Sequence, residues 1–438
     1  MRGARIPHSL IAAATLFAAT AVLAAAPVRA AAIDASRAAP IAHAIADEAG
    51  GAISRFYRTR GFQPLWVEGG AIGPQATRLI GYLRTAQFDG LKPSSYDPEH
   101  LQEIIDTSRS GDAKAIAKAE IALSKAFAAY VRDQRRPDGD LDITYADKTL
   151  KPKKLKPEDV LRAAAFPKSF ADYVASMGWM SDEYVELRGL MVHPMTDAER
   201  DRLRLNMDRA RVLPSAWTRH IVVDASSGRL WYYEAGKQVG TMRVVVGAEK
   251  TQTPMLVGSI QWAIVNPYWN VPDYLTRDSI AKKVLGGRSL AMMHMEALSG
   301  WNASAQPVPA RAIDWHAVAA GEQMPRIRQL PGPFNSMGKV KFLFPNDDGI
   351  YLHDTPERDL LAKDDRHFSN GCIRLDKALV LGKWLLEKPV GNAGGKPEQA
   401  VPLPVSVPVY LTYITAMPSK TGVAFRPDVY GRDAKAAG

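Results

Sequence analysis

The hydrophobic periodicity of this chain changes once along its length, near Pro214, and that change limits the fold more than any other feature. Upstream, apolar residues recur at steps of three and four: Ile116, Ala119, Leu123, Ala126, Phe127 and Tyr130 share one face of a predicted helix. A second helix is predicted to start at Thr196, whose hydroxyl can cap a backbone N–H while Glu199 reaches back; Leu203, Met207 and Ala210 form one stripe behind this capping box. Residues 138–157, rich in Asp, Lys and Pro, read as a loop between the two. Downstream, 220–224, 229–233 and 239–246 are short runs of Val, Ile, Trp, Tyr and Thr. Ser226-Ser227-Gly228 and Ala235-Gly236-Lys237 separate them with the turn chemistry of successive hairpins. Further strands are predicted at 258–265, 340–344, 350–353 and 407–413 and one helix at 376–387, with the Pro-rich run 401–408 as a rigid lead into the last strand.

The fold class expected is therefore α+β: an N-terminal helical scaffold domain, then a mostly β domain. At 438 residues the chain exceeds what one hydrophobic core usually serves, in agreement with two folded units. Boundaries are placed at 31–213 for the helical unit and 214–417 for the β unit, with 418–438 as a C-terminal tail. Residues 268–335 lie between strands, carry helical pieces and many Met, Gly and Pro, and are too long for a plain loop; they are expected to be an inserted lid over a site.

Residues 1–30 read as a secretory signal peptide. Arg2 and Arg5 form a positive start, 10–26 an apolar stretch, and Val28-Arg29-Ala30 a small-residue cleavage site. The apolar run is short for a membrane span, and the mature chain is expected to be exported with no integral membrane segment. Removing Arg2, Arg5 and Arg29 leaves about +7 of the formal net charge of +10. The remaining Lys and Arg are scattered apart from Lys151 to Lys156, and aromatics do not interleave with them, which argues against nucleic acid as a partner. A single cysteine, Cys372, excludes an intramolecular disulfide and a multi-cysteine metal site.

That cysteine sits in the densest arrangement of reactive side chains in the chain: Tyr351-Leu352-His353-Asp354, then His367-Phe368-Ser369-Asn370-Gly371-Cys372-Ile373-Arg374. A thiol nucleophile needs a base, donors for an oxyanion and a backbone that lets a carbonyl approach. His353 ends a predicted strand and can serve as base. Gly371 carries no side chain beside the nucleophile, so the N–H groups of Gly371 and Cys372 can face an oxyanion, and Arg374 can hold a carboxylate bidentately. Cys372 and His353 are thus the candidate catalytic pair. Ser369 and Asp354 are read as props of the loop and the turn, and Arg374 either binds substrate or pairs with Asp376. His367 is the rival base, although its place on an approach loop points to surface exposure. His353, His367 and Cys372 match no usual zinc spacing, so no metal is expected. Tyr268 and Trp269 fill core or line the cleft, with core the better reading.

At these residues the chain resembles the L,D-transpeptidases of bacterial cell walls, whose YkuD-type catalytic domain places a His some eighteen residues before a Ser/Thr-His-Gly-Cys motif. Here His353 precedes Cys372 by nineteen positions. Asn266-Pro267-Tyr268-Trp269-Asn270, Pro331-Gly332-Pro333-Phe334-Asn335, Gly338-Lys339-Val340-Lys341-Phe342, Phe56-Tyr57, Pro64-Leu65-Trp66, Asp89-Gly90-Leu91 and 425–430 are similar to the large periplasmic YcbB-like branch. Asn370 stands where the family usually has His, a position whose backbone N–H lies near the oxyanion. The Asp-Gly…Leu-Asn pattern of that branch's glycan-anchoring helical module is not found between Ser181 and Pro214.

The resemblance implies a peptidoglycan acyltransferase in cell-wall biogenesis and cell shape. Cys372 attacks the third residue of a tetrapeptide stem, D-Ala leaves, and the side-chain amine of another stem resolves the thioester into a 3→3 crosslink, with no cofactor. Ser369, Asn370, Gly371 and Asp354 support the oxyanion and the loop; Arg374, Trp269 and Tyr351 bind substrate. The partners implied are a tetrapeptide donor and a diamino-acid acceptor, with cell-wall synthesis proteins or an outer-membrane protein as further partners. The same acyl-enzyme can instead serve water, a free D-amino acid or a tethered outer-membrane protein. A catalytically silent wall-binding scaffold is the reading from another class, and rapid alkylation of Cys372 at neutral pH is the observation expected to speak against it.

Overall fold

The computed structural model describes residues 35–136, 141–302, 304–391 and 395–436, so the candidate leader at 1–30 lies outside them. The helical half is built around α1 (Ala113–Gln134), α2 (Asp182–Leu190) and α3 (Asp197–Arg211). The stripe read on α1 is buried at Ile116, Ala119, Leu123, Phe127 and Tyr130. α3 starts with the capping box at Thr196 and Glu199, both of its hydrogen bonds present. Residues of the quoted motifs turn out to be polar hubs of this half. The carboxylate of Asp89 accepts from Tyr130 Oη (2.8 Å), Gln134 Nε2 (3.0 Å), Tyr184 Oη (2.7 Å) and Arg188 Nε (2.8 Å), and its carbonyl accepts from Arg211. One side chain thereby ties a 3-10 turn to α1 and α2. Glu120, on the buried face of α1, accepts from Tyr57 Oη and from the backbone N–H groups of Leu65 and Trp66.

Eight strands of the second half form a closed ring. They are β1 (His220–Asp224), β2 (Arg229–Glu234), β3 (Lys237–Gly247), β4 (Leu256–Val265), β5 (Val340–Leu343), β6 (Leu352–His353), β7 (Ile373–Leu375) and β8 (Gln399–Thr412). The spatial order is β5-β6-β7-β3-β2-β1-β8-β4, and β4 pairs back to β5, which leaves the ring without a free edge. Two pairings are parallel, β6 with β7 and β1 with β8. Period-two alternation divides β1 between two cores: Ile221 and Val223 join the core of the ring with Leu381 and Leu385 of α4 (Ala378–Leu386), whereas Val222 packs with the scaffold core. All of β1 is buried for that reason.

Three readings of the sequence are corrected. The Pro-rich run is part of β8: Pro402 lies opposite Trp262 and Pro408 opposite Ser259. β8 pairs with β1 only from Val409 onward, so the prolines occupy a stretch whose second edge has no strand to bond, where a missing N–H costs little. The strand predicted at 350–353 shrinks to Leu352–His353, because Asn346 bonds the N–H and C=O of Ile350 into a turn. The segment read as a tail is folded back on the scaffold: Gly422–Phe425 pairs with Ala416–Ser419, and Asp433 in Arg432–Ala436 binds Arg202, Arg209 and Thr415. In addition, Thr144–Tyr145, within the predicted loop, adds a short parallel strand to β4.

Glu183 of α2 meets the ring at this seam, accepting from Tyr233 Oη at 2.8 Å. Burial pushes its carboxyl up to about 7. A raised carboxyl stabilises the fold below its ordinary value of 4.5, and this contribution is lost as the pH rises through about 7. Glu183→Gln is therefore expected to gain stability over the natural protein at about pH 8, on the order of 1–3 kcal/mol, and almost none at about pH 4.5. Urea unfolding at the two pH values measures it; equal differences at both would exclude the titration of Glu183 as the cause.

Candidate active site

The site arises from two short parallel strands. β6 and β7 pair Leu352 with Ile373 and His353 with Arg374, and Ile373 N–H donates to Tyr351 O at 3.1 Å. Alternation sends Leu352, Ile373 and Leu375 into the core of the ring. Tyr351, His353, Cys372 and Arg374 line a single cavity of about 930 Å³ on the other side. Its remaining wall comes largely from the insert. This segment is a folded unit, with a four-stranded sheet of Pro307–Val308, Met295–Leu298, Arg326–Gln329 and Trp269–Asn270 and its own core around Ile280, Trp315 and Ile327. Trp269 lies at the edge of that core and also faces the cavity. Tyr268 lies under the Arg328 guanidinium, 4.0 Å from its ring centre.

His353 is 2% exposed, and its Nδ1 contacts Asp354 O at 2.6 Å. A carbonyl only accepts, so Nδ1 carries the proton and Nε2 keeps a lone pair. Burial, opposed by the Asp354 and Ser336 backbone and aided by the nearby charges of Arg374 and Lys341, holds the imidazole down to about 3. The Asp354 carboxylate faces elsewhere, accepting from Lys339 N–H (2.8 Å) and Arg358 Nη2 (2.6 Å). A Cβ at Gly338 would lie 2.4 Å from Asp354 Oδ2, so a glycine is required at that approach.

The Cys372 thiol donates to Gly349 O at 3.6 Å. Burial pushes it up to about 11, against hydrogen bonding from Tyr351 and the charge of Arg374. Thiol and imidazole therefore both rest neutral. Ser369 Oγ donates to Cys372 O (2.6 Å) and accepts from Gly371 N–H (3.1 Å). This corrects the expectation that Gly371 N–H faces an oxyanion, because the loop's own hydroxyl occupies it. Among the described residues the N–H groups of Asn370 and Cys372 donate no backbone hydrogen bond. Gly371 is needed for its backbone, at φ +107°, where a Cβ would also press on Ile350.

Arg374 pairs with Glu357 and not with Asp376, whose carboxylate lies 4.0 Å from Arg243. His367 is not on the surface: its side chain is 9% exposed, with Nδ1 on Asp365 (2.6 Å) and Nε2 on Ala225 O (2.9 Å), outside the cavity. Among the described residues no group of three or more His, Cys, Asp or Glu is placed to hold a metal ion. Tyr274, from the insert, lines the cavity close enough to feel charge on Cys372, and sequence reasoning passed over it. No local pattern marks it, since only the folding of the insert brings it there. Gly349 was legible in principle, as the end of an Asn-Asp-Asp-Gly turn.

Residues 218–401 match the family model for the L,D-transpeptidase catalytic domain, and residues 51–191 match the model described as the Scaffold domain. A Haemophilus influenzae protein named provisionally as an L,D-transpeptidase is 25% identical over 395 residues, covering 87% of this chain and 78% of its own length. Solved structures that align include an L,D-transpeptidase from Mycobacterium smegmatis, at 13% identity, 44% of this chain, 58% of that chain and a TM-score of 0.21. A cysteine-to-serine variant of an Enterococcus faecium L,D-transpeptidase aligns at 12% identity, over 61% of this chain and 94% of that chain, with a TM-score of 0.20. The chain thus carries a YkuD-type L,D-transpeptidase catalytic domain at 218–401, with a Scaffold domain ahead of it at 51–191.

Proposed function

We propose that this protein is an exported peptidoglycan L,D-transpeptidase that forms 3→3 crosslinks through a thioester on Cys372. The observation that carries the reading is the single cavity onto which Tyr351, His353, Cys372 and Arg374 all open. His353 Nε2 takes the thiol proton as the sulfur attacks the carbonyl of the third residue of a tetrapeptide stem, and returns it to the departing D-Ala amine. The side-chain amine of a second stem then attacks the thioester, and the thiol reforms. The energy of the exchanged peptide bond suffices, so the reaction calls for no metal and no nucleotide. In this reading the backbone N–H groups of Asn370 and Cys372 receive the oxyanion. Arg374, half-committed to Glu357, takes a stem carboxylate, and the insert excludes water so that an amine resolves the intermediate. Export is read from residues 1–30; no described helix is long and apolar enough to cross a membrane.

The test is incubation of the mature protein and Cys372→Ala with purified disaccharide-tetrapeptide, followed by mass spectrometry. A dimer that has lost one D-Ala, absent from the variant, is the expected product. Tripeptide without dimer would replace the stem acceptor by water, and unchanged substrate would overturn the reading.

A further inference from the structure

We propose that Tyr351 is a catalytic hydrogen-bond donor to the sulfur of Cys372, its phenol holding the negative charge as the thiol gives up its proton. This deepens the transpeptidase reading and rests on it. The parallel register of β6 and β7 begins at Leu352 and Ile373, so Tyr351 and Cys372 stand side by side, each one residue ahead of the ladder. In the resting protein the thiol donates to Gly349 O, a bond that only a protonated sulfur can make. Once the proton passes to His353 Nε2, carbonyl oxygen and thiolate repel each other, and the anion requires donors. Tyr351 offers two, its backbone N–H and its phenol, from a residue that stands beside Cys372 in register and shares the cavity wall with it, and this neighbourhood favours the anion against the effect of burial. Such bonds commonly tighten only as charge develops.

No other hydrogen bond engages the phenol among the described residues. Burial, with the neighbouring sulfur's charge, holds it far above the ordinary range of a tyrosine, so it remains a donor and does not compete with His353 as base. The other groups facing the sulfur are less suited. Arg374 acts on the sulfur through its charge alone, its hydrogen bond going to Glu357. His353 is the proton acceptor. Tyr274, on the insert, is 40% exposed. The step balances without the phenol giving up its proton. The S–H bond breaks toward Nε2, the S–C bond forms at the acyl carbon, the C–N bond to the departing residue breaks, and the proton on Nε2 goes to the leaving amine.

Tyr351→Phe tests this, with Tyr274→Phe alongside. Alkylation of Cys372 by iodoacetamide at about pH 8 is expected to slow about tenfold in Tyr351→Phe, as for one unit of thiol pKa, and to stay within about twofold in Tyr274→Phe. The acylation rate with tetrapeptide is expected to fall about 10–100-fold with the donor KM unchanged. Alkylation that is unchanged or faster, or an effect confined to KM, overturns the assignment and returns Tyr351 to simple substrate contact. If the natural protein is not acylated by tetrapeptide while alkylation of Tyr351→Phe still slows, the transpeptidase reading fails and the Tyr351–sulfur assignment stands.

Discussion

Cys372→Ala, Cys372→Ser and His353→Gln are each expected to lower the rate of dimer formation from tetrapeptide by about 10³-fold or more, with the fold intact. The two residues act as a unit. Without the thiol no acyl-enzyme forms. Without Nε2 the thiol must ionise alone from a resting position near 11, so almost no thiolate is present at neutral pH. His353→Gln keeps a neutral polar side chain beside the Asp354 carbonyl, which separates loss of the base from loss of packing. Circular dichroism checks the fold and single-turnover acylation checks the chemistry; a His353→Gln protein within about tenfold of natural activity would remove His353 from the mechanism.

The resting protonation states carry a further expectation with a defined sign. The thiolate fraction grows with pH everywhere below the thiol's own value. Alkylation of Cys372 by a small reagent is therefore expected to rise about tenfold per pH unit between about pH 6 and 9, and to be slower at pH 7 than that of an exposed cysteine. A flat profile over that range would mean an ion pair preformed at rest. Slow alkylation at neutral pH consequently loses its value as a sign of a silent scaffold. In this cavity an enzyme and an inert thiol look alike until substrate arrives.

Asp89→Ala is expected to destabilise the helical half by about 3–5 kcal/mol, the range for removing one partner of a buried pair. The variant leaves Arg188 without its carboxylate and strands the hydroxyls of Tyr130 and Tyr184 and the Gln134 amide in a place water does not reach. Asp89→Asn keeps the shape and part of the acceptor capacity, and a smaller loss is expected. Urea unfolding followed by tryptophan fluorescence reads the change, since Trp66 and Trp179 are buried in this half. A loss below about 1 kcal/mol in Asp89→Ala would show that the hub is replaceable by water.

Elements whose stability is local were legible from the chain alone. The capping box at Thr196 and Glu199 needs only neighbours three residues apart, and the stripe on α1 needs only the helical period, so both appear where the sequence places them. The hairpin strands β1 to β3 were legible for the same reason, their turns lying between them. Prolines in β8 were misread because a proline's tolerance depends on whether the strand's second edge is paired, which is a property of the sheet. The terminal hairpin and helix were missed because what holds them, Asn206, Arg202 and Arg209 of α3, lies some two hundred residues away.

The site divides in the same way. By itself the sequence determined the reactive set, since residue identity and the nineteen positions from His353 to Cys372 are covalent facts, and it placed the change from helix to strand near Pro214. Only the tertiary structure decided what each member does. Register between β6 and β7 set Tyr351 beside the sulfur and Arg374 level with His353. Burial set both protonation states, Ser369 claimed the Gly371 N–H, and packing turned His367 toward Ala225. Each of these outcomes depends on distances between residues far apart in the chain, and on how much water reaches them. Neither quantity is written in the local order of amino acids.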